Sequence, residues 1–281
     1  MIELYSKRWA ELSAKPARNL IAMLYLLFEE ADSSDDLDEN KWQESLSDVW
    51  IELHEQIAHQ NTLWPAAYGC VPHLVKMAME YEFICSSWFL SRFARIAAPM
   101  AIVSPLPADL KPDYEAALNE VARVSLIEAH TPGHEKIDEY WSILCTATAL
   151  NKRGVLVRIV EVLPEFWLQC STCQVHLWAT MTSNGLKFCT GLFEEGPKLQ
   201  PAITTPREPP DAVWSPDQQP DDDFEWLFSL CHRAEQTEAQ SWVCHLYGKS
   251  SCPKCGVHFI VNKEIEREAY MKKILTVSVG L

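Results

Sequence analysis

Apolar residues in the first half of the chain recur every three or four positions, the spacing that lays one face of an α-helix against a core. Leu20, Met23, Leu24, Leu27 and Phe28 form one such set, and Trp42, Leu46, Val49, Trp50, Leu53 and Ile57 form the next. Trp64-Pro65 then marks a helix start, with Thr62 placed to cap it and Pro65 in its first turn, and the pattern runs on towards Tyr81. Pro72 inside that pattern predicts a kink or a split. Helical spacing resumes at Phe83 to Ala98, Asp109 to Ala129, Lys136 to Leu150 and the shorter Val155 to Val160. Antiparallel helices of about 15–20 residues with short polar links predict an α-solenoid without a strict repeat.

The pattern changes after Pro164. Phe166-Trp167-Leu168-Gln169 leads into a cysteine pair, and the alternating, aromatic Val175-His176-Leu177-Trp178-Ala179 reads as a strand. Residues 196–222 are rich in proline and acid, hence an exposed loop. Helical spacing returns from Phe224 to Tyr247, and Val257 to Val261 reads as a return strand. The chain is therefore expected to be mainly α. A helical domain over 1–163 precedes a small α+β, zinc-ribbon-like domain over 164–281 into which the acidic loop and one or two helices are inserted.

Two short cysteine pairs fall in that second part, Cys170-Ser-Thr-Cys173 and Cys252-Pro-Lys-Cys255-Gly256. Each has the C-x2-C spacing of a zinc knuckle, and together they supply the four thiolates of a closed tetrahedral structural site. Gly256 permits the tight turn that aims both sulfurs at one ion. A redox dithiol is the competing reading of either pair, and His176, His245 or His258 could replace one ligand. With four thiolates no position stays open for water, so the metal is expected to stabilise the fold. Cys70, Cys85, Cys145, Cys189, Cys231 and Cys244 read as small buried hydrophobes.

Charge adds a second clue. The formal net charge is -15 over 281 residues, and it is concentrated. Glu29 to His59 holds eleven acids and one base (Lys41), Glu208 to Gln240 nine acids and one base (Arg233). These stretches carry -10 and -8, which leaves about +3 for the rest. Nucleic acid is disfavoured as a partner because phosphates need Lys and Arg, whereas a basic protein is favoured. The candidate contacts are Asp35, Asp36, Asp38 and Glu39 in one run and Asp221, Asp222 and Asp223 in the other. Trp214, between them in the proline-rich loop, is a candidate aromatic anchor. No apolar run reaches the roughly 20 residues of a membrane span and the start lacks a leader pattern, so cytoplasmic residence is the expectation.

The stretch His59-Gln60-Asn61-Thr62-Leu63-Trp64-Pro65-Ala66-Ala67-Tyr68-Gly69-Cys70-Val71-Pro72-His73-Leu74 resembles the His-Gln-x-Thr segment of bacterial HEAT-repeat-like proteins, departing from it at Asn61 and at Tyr68-Gly69-Cys70. Several of these look like immunity proteins of toxin systems, including those paired with type VI secretion effectors. A cysteine-rich segment similar to Leu163 to Cys173 follows the helical array in such proteins. The resemblance implies HEAT-like helix pairs and stoichiometric neutralisation of a toxin, plausible for a basic nuclease whose phosphate site an acidic protein can fill. The alternative is a zinc-stabilised adaptor or scaffold with no inhibitory role. An enzyme is not expected. His54 and His59 in His-Glu-Gln-Ile-Ala-His stand five apart and diverge by about 140° on a helix, too far to share a metal.

Overall fold

A computed structural model of the protein describes residues 1–33, 38–59, 62–83, 86, 89–90, 93, 96, 101–151, 165–182, 185–190, 200–210 and 220–268. Over these residues the chain is mainly helical with a small, largely antiparallel sheet region. It forms two compact units, Met1–Ser125 and Leu126–Leu281. The compositional boundary at 163 lies outside the described residues.

In the first unit, α1 (Arg8–Glu11) leads into α2 (Lys15–Ser33), α3 (Glu39–Ile57) and α4 (Ala66–Glu80), and α5 (Lys111–Glu128) runs out of it. Helix α2 buries Ala17, Leu20, Ile21, Leu24 and Phe28. Met23, expected on that face, is 48% exposed because it stands about 160° round the helix from Ile21, off the buried stripe. Helix α3 starts where the Asp38 carboxylate accepts the Lys41 N–H at 3.3 Å. Such a cap satisfies one of the donors left free at a helix start. Leu46, Val49, Trp50, Leu53 and Ile57 are all buried, as the spacing predicts. The Trp42 indole N–H donates to the Leu27 carbonyl at 2.8 Å and fixes α3 on α2.

Two expectations around α4 fail. Thr62 does not cap it: Thr62 and Leu63 form β2, antiparallel to β1 (Ala58–His59) and parallel to β3 (Ala101–Ile102). Strand pairing takes the backbone that a cap would need, and Pro65 stands at the helix start with no side-chain cap. Nor does Pro72 split α4, which runs unbroken to Glu80. Proline deletes one backbone donor there, and burial of every residue from Ala66 to Val75 holds the neighbouring turns in place.

His73 fastens the N-terminal segment to α4. Its Nε2 lies 2.7 Å from the Ile2 carbonyl, which can only accept, so Nε2 carries the proton. Nδ1 is then free to accept from the Tyr25 hydroxyl at 3.3 Å. The Trp9 ring lies alongside at 5.9 Å.

In the second unit α6 (Ile137–Leu150) packs with its Trp141 against Trp242, ring centroids 5.1 Å apart. Strands β4 (Glu165–Gln169), β5 (His176–Thr182), β6 (Gly185–Thr190) and β7 (Ala202–Ile203) form an antiparallel meander in that order. Its inner face is Phe166, Leu168, Leu177, Ala179, Met181, Leu186 and Phe188. The helical stretch expected over 224–247 is two helices, α7 (Asp223–Arg233) and α8 (Thr237–Leu246). They are separated by a turn in which Glu235 takes a left-handed φ of 58°. A hairpin, β8 (Lys249–Ser251) and β9 (His258–Ile260), follows and runs straight into α9 (residues 261–268). The helical spacings at 155–160, and most of 83–98, fall outside the described residues. No described helix is long and apolar enough to cross a membrane.

Burial, with Lys76 and the N-terminal ammonium acting in the same sense against the Ile2 carbonyl, holds the His73 pKa below its usual value. Burial lowers His130 and His245 likewise. A histidine that binds its proton less readily when folded contributes stability that is complete above about pH 6.5 and is lost as pH falls below it. The protein should therefore melt at lower temperature at pH 5.5 than at pH 7.5. His73→Gln, which can still donate to Ile2, should remove part of that difference; an unchanged difference contradicts the assignment.

Candidate metal centre

Each cysteine pair sits in the tip of a hairpin. Cys170 to Val175 turns β4 into β5, and Cys252 to Val257 turns β8 into β9. The two turns have the same backbone. The Cys170 N–H donates to Val175 O at 2.9 Å and the Gln174 N–H to Cys170 O at 3.0 Å. Correspondingly, Cys252 N–H donates to Val257 O at 2.9 Å and Gly256 N–H to Cys252 O at 2.9 Å. Gln174 and Gly256 both take left-handed φ, 58° and 73°. The turns share a readable pattern, Cys-x-x-Cys-x-Val-His-hydrophobic, at 170–177 and 252–259. That internal repeat was available in the sequence beyond the C-x2-C spacing.

The four sulfurs lie within 4.8 Å of one another. Cys170 Sγ is 3.8 Å from Cys255 Sγ, and Cys173 Sγ is 3.7 Å from Cys252 Sγ. These separations are nearly double a disulfide length of about 2.05 Å. They match the edge of a tetrahedron with metal–sulfur bonds of about 2.3 Å, which is about 3.8 Å. The donor set fits a thiolate-preferring divalent ion such as zinc.

The electrostatics of the turns favour a thiolate at Cys170 and disfavour one at Cys173 and Cys252. Burial raises the Cys170 pKa, but the N–H groups of Cys173 and Thr172 and the neighbouring thiols outweigh it and bring it down to about 7. At the equivalent Cys252, N–H groups of Cys255 and Lys254 act in the same way, yet burial dominates and pushes the thiol up to about 12. One thiol of the set ionises readily, and full ionisation calls for a cation among the four.

Three features hold the hairpins together. Phe188 of β6 packs edge-on against Phe166 of β4 at 6.3 Å and against Phe259 of β9 at 5.3 Å. Thr205 and Lys249 exchange backbone hydrogen bonds of 2.8 and 2.9 Å, joining the end of β7 to the start of β8. This approach requires Gly248, where a Cβ would stand 2.2 Å from the Thr205 carbonyl oxygen. Helix α9 then braces the first knuckle: Ser171 Oγ donates to Glu264 at 3.3 Å, and Arg267 donates to the Gln169 carbonyl and to Glu264. Neither Gly248 nor α9 was singled out by spacing, since each matters only through what it approaches.

The histidines near the knuckles do not join the cluster. His176 and His258 are exposed at the starts of β5 and β9. His245 is buried with Nδ1 2.6 Å from Thr204 Oγ1. Among the other cysteines, Cys70, Cys145, Cys231 and Cys244 are buried with thiol pKa values pushed up by burial, Cys189 is half-buried, and Cys85 lies outside the described residues.

The acidic candidates divide. Asp35, Asp36 and Trp214 lie outside the described residues, and Glu39 opens α3. Asp38 serves as the α3 cap. Asp222 caps α7 through the Phe224 N–H at 2.7 Å and pairs with Arg207 at 2.9 Å, which also lies over the Phe224 ring. The charge of Asp222 is thus spent within the fold. Asp221 is exposed and Asp223 half-buried. Glu44, Asp48 and Glu52, counted within the first acidic stretch but not singled out there, are exposed at four-residue intervals along α3.

No protein-family model, curated protein or solved structure matches this chain.

A left-handed non-glycine residue costs about 1 kcal/mol relative to glycine. Gln174→Gly should therefore stabilise the protein by about 1 kcal/mol, and Gly256→Ala should destabilise it by about as much, in chemical denaturation. Gly248→Ala should weaken both stability and metal affinity, because the carbonyl of Thr205 must move away with its hairpin. Unaltered metal affinity in chelator competition would show that the hairpins do not depend on this contact.

Proposed function

We propose that the chain is an immunity protein that binds a basic bacterial toxin effector one to one and occludes its active site, with a structural zinc ion on Cys170, Cys173, Cys252 and Cys255. The observation that carries the binding reading is where the acidity sits. Glu44, Asp48 and Glu52 face solvent on α3, opposite the buried Leu46, Val49 and Leu53, and α2 ends in exposed Glu29, Glu30 and Asp32. Surfaces of this sign speed and orient association with a basic protein. A nuclease suits them, because carboxylates can occupy the place of its substrate phosphates. The packing of α2 on α3 is in keeping with HEAT-like helix pairs.

The zinc reading rests on four sulfurs within 4.8 Å of one another, two of their separations being those of a zinc tetrahedron's edge. Four thiolates leave no open coordination position, so the ion closes the second unit and takes no part in a reaction. Reduced thiols of this kind persist in the cytoplasm, where we place the protein.

Tagged protein should capture, at low salt, a basic toxin chain in equal amount and abolish its activity. Recovery of a partner that stays active favours an adaptor, and recovery of none removes the reading. Replacing Glu44, Asp48 and Glu52 with lysine should weaken the complex by tenfold or more, about 1.4 kcal/mol. Purified protein should carry one equivalent of zinc. Cys252→Ser should lose the metal and more than about 3 kcal/mol of stability together; metal-free protein of undiminished stability contradicts the zinc assignment.

A further inference from the structure

The first unit carries an open groove of about 650 Å³ between α4 and α5. One wall is Pro72, Val75, Lys76, Met79 and Glu80, the other Asp113, Ala116, Ala117 and Glu120, with Met1 beside them. Both walls follow the i, i+3, i+4, i+7 spacing of a single helix face. From Pro72 to Glu80 the wall rises about 12 Å, a little over two helical turns. Alanines 116 and 117 keep the second wall low, so a side chain can enter between the helices. Met79 stands 52% exposed and Met1 47% exposed, flexible apolar groups that adapt to a partner.

Charge distinguishes the groove's margins. Asp113 on the α5 wall is engaged by the N-terminal ammonium, and Lys76 lies on the facing α4 wall. Around Glu80 the sign is negative: Glu29 and Asp32, from the last turn of α2, join it near the Tyr81 hydroxyl. Helices α2 and α4 both end there, and their C-terminal dipoles add to the negative potential.

We propose that this groove docks an amphipathic helix of the basic protein partner, apolar side chains between α4 and α5 and a lysine or arginine against Glu80. The proposal rests on the immunity reading for the partner's character. The anchors of such a helix, at i, i+3 or i+4, and i+7, span the two turns that the groove offers.

A labelled amphipathic Leu/Lys peptide of about five turns is the probe, with a scrambled peptide of the same composition as control. The amphipathic peptide should bind the full chain, more weakly as salt rises, and at least tenfold tighter than the scrambled one. Ala116→Trp fills the groove from an exposed position and Met79→Glu charges its apolar margin, so each should reduce binding about tenfold. Glu80→Lys should reduce the affinity and flatten its salt dependence. Equal binding by wild type and variants, or no preference over the scrambled peptide, overturns the proposal. So does concentration-dependent dimerisation that Ala116→Trp abolishes, which makes a second copy the occupant. A captured toxin bound equally well by Ala116→Trp and Glu80→Lys overturns the groove and leaves the immunity reading standing. Peptide docking in the groove with no toxin captured does the reverse.

Discussion

Four cysteine sulfurs held within 4.8 Å of one another cannot all ionise without a cation to offset their mutual repulsion, and unionised they are poor ligands. This constraint organises the second unit. The two knuckles are 79 residues apart in their nearest contact, Cys173 with Cys252, and everything between them must return the chain to its starting place. The meander ends where Thr205 bonds to Lys249, α7 and α8 fill the intervening sequence, and Phe188 supplies the apolar contact common to both hairpins. An ion at the tips would join what the aromatic packing has already brought close. Closing so long a loop is costly in chain entropy, so a metal clip there would stabilise strongly.

The acidic residues illustrate how one charge type serves two purposes. Asp38 and Asp222 sit at helix starts and accept backbone N–H groups, where a carboxylate is favoured by the helix dipole. Glu44, Asp48 and Glu52 perform no such task, and their exposure on the outer face of α3 leaves their field available to solvent and partners. The groove between α4 and α5 sets apolar surface beside the acidic cluster of Glu29, Asp32 and Glu80, a combination that suits a basic amphipathic segment.

The repeated turn at 170–175 and 252–257 is a local solution reached twice, with glycine in one copy and glutamine in the other. Both copies use the same two backbone hydrogen bonds, so the left-handed residue is imposed by the turn itself. Glutamine at 174 carries its conformational cost in the first copy.

Local chemistry is what the sequence by itself determined: the helical stripes of α2 and α3, the cysteine spacing, the concentration of acid and the strand that became β5 all follow from residues near one another in the chain. The left-handed turn after Cys255 was likewise legible, because glycine marks it. Tertiary structure alone decided the rest. Only folding brought the four sulfurs within 4.8 Å of one another, since C-x2-C spacing says nothing of the distance between two pairs. Only folding divided the acids into caps and outward charges. Strand pairing took Thr62 from its expected cap, and surrounding burial carried α4 through Pro72. Helix α9 has a role only because its Arg267 reaches Gln169, 98 residues away. Such contacts depend on loop closure and on packing between distant segments, and neither is encoded in the period of a pattern.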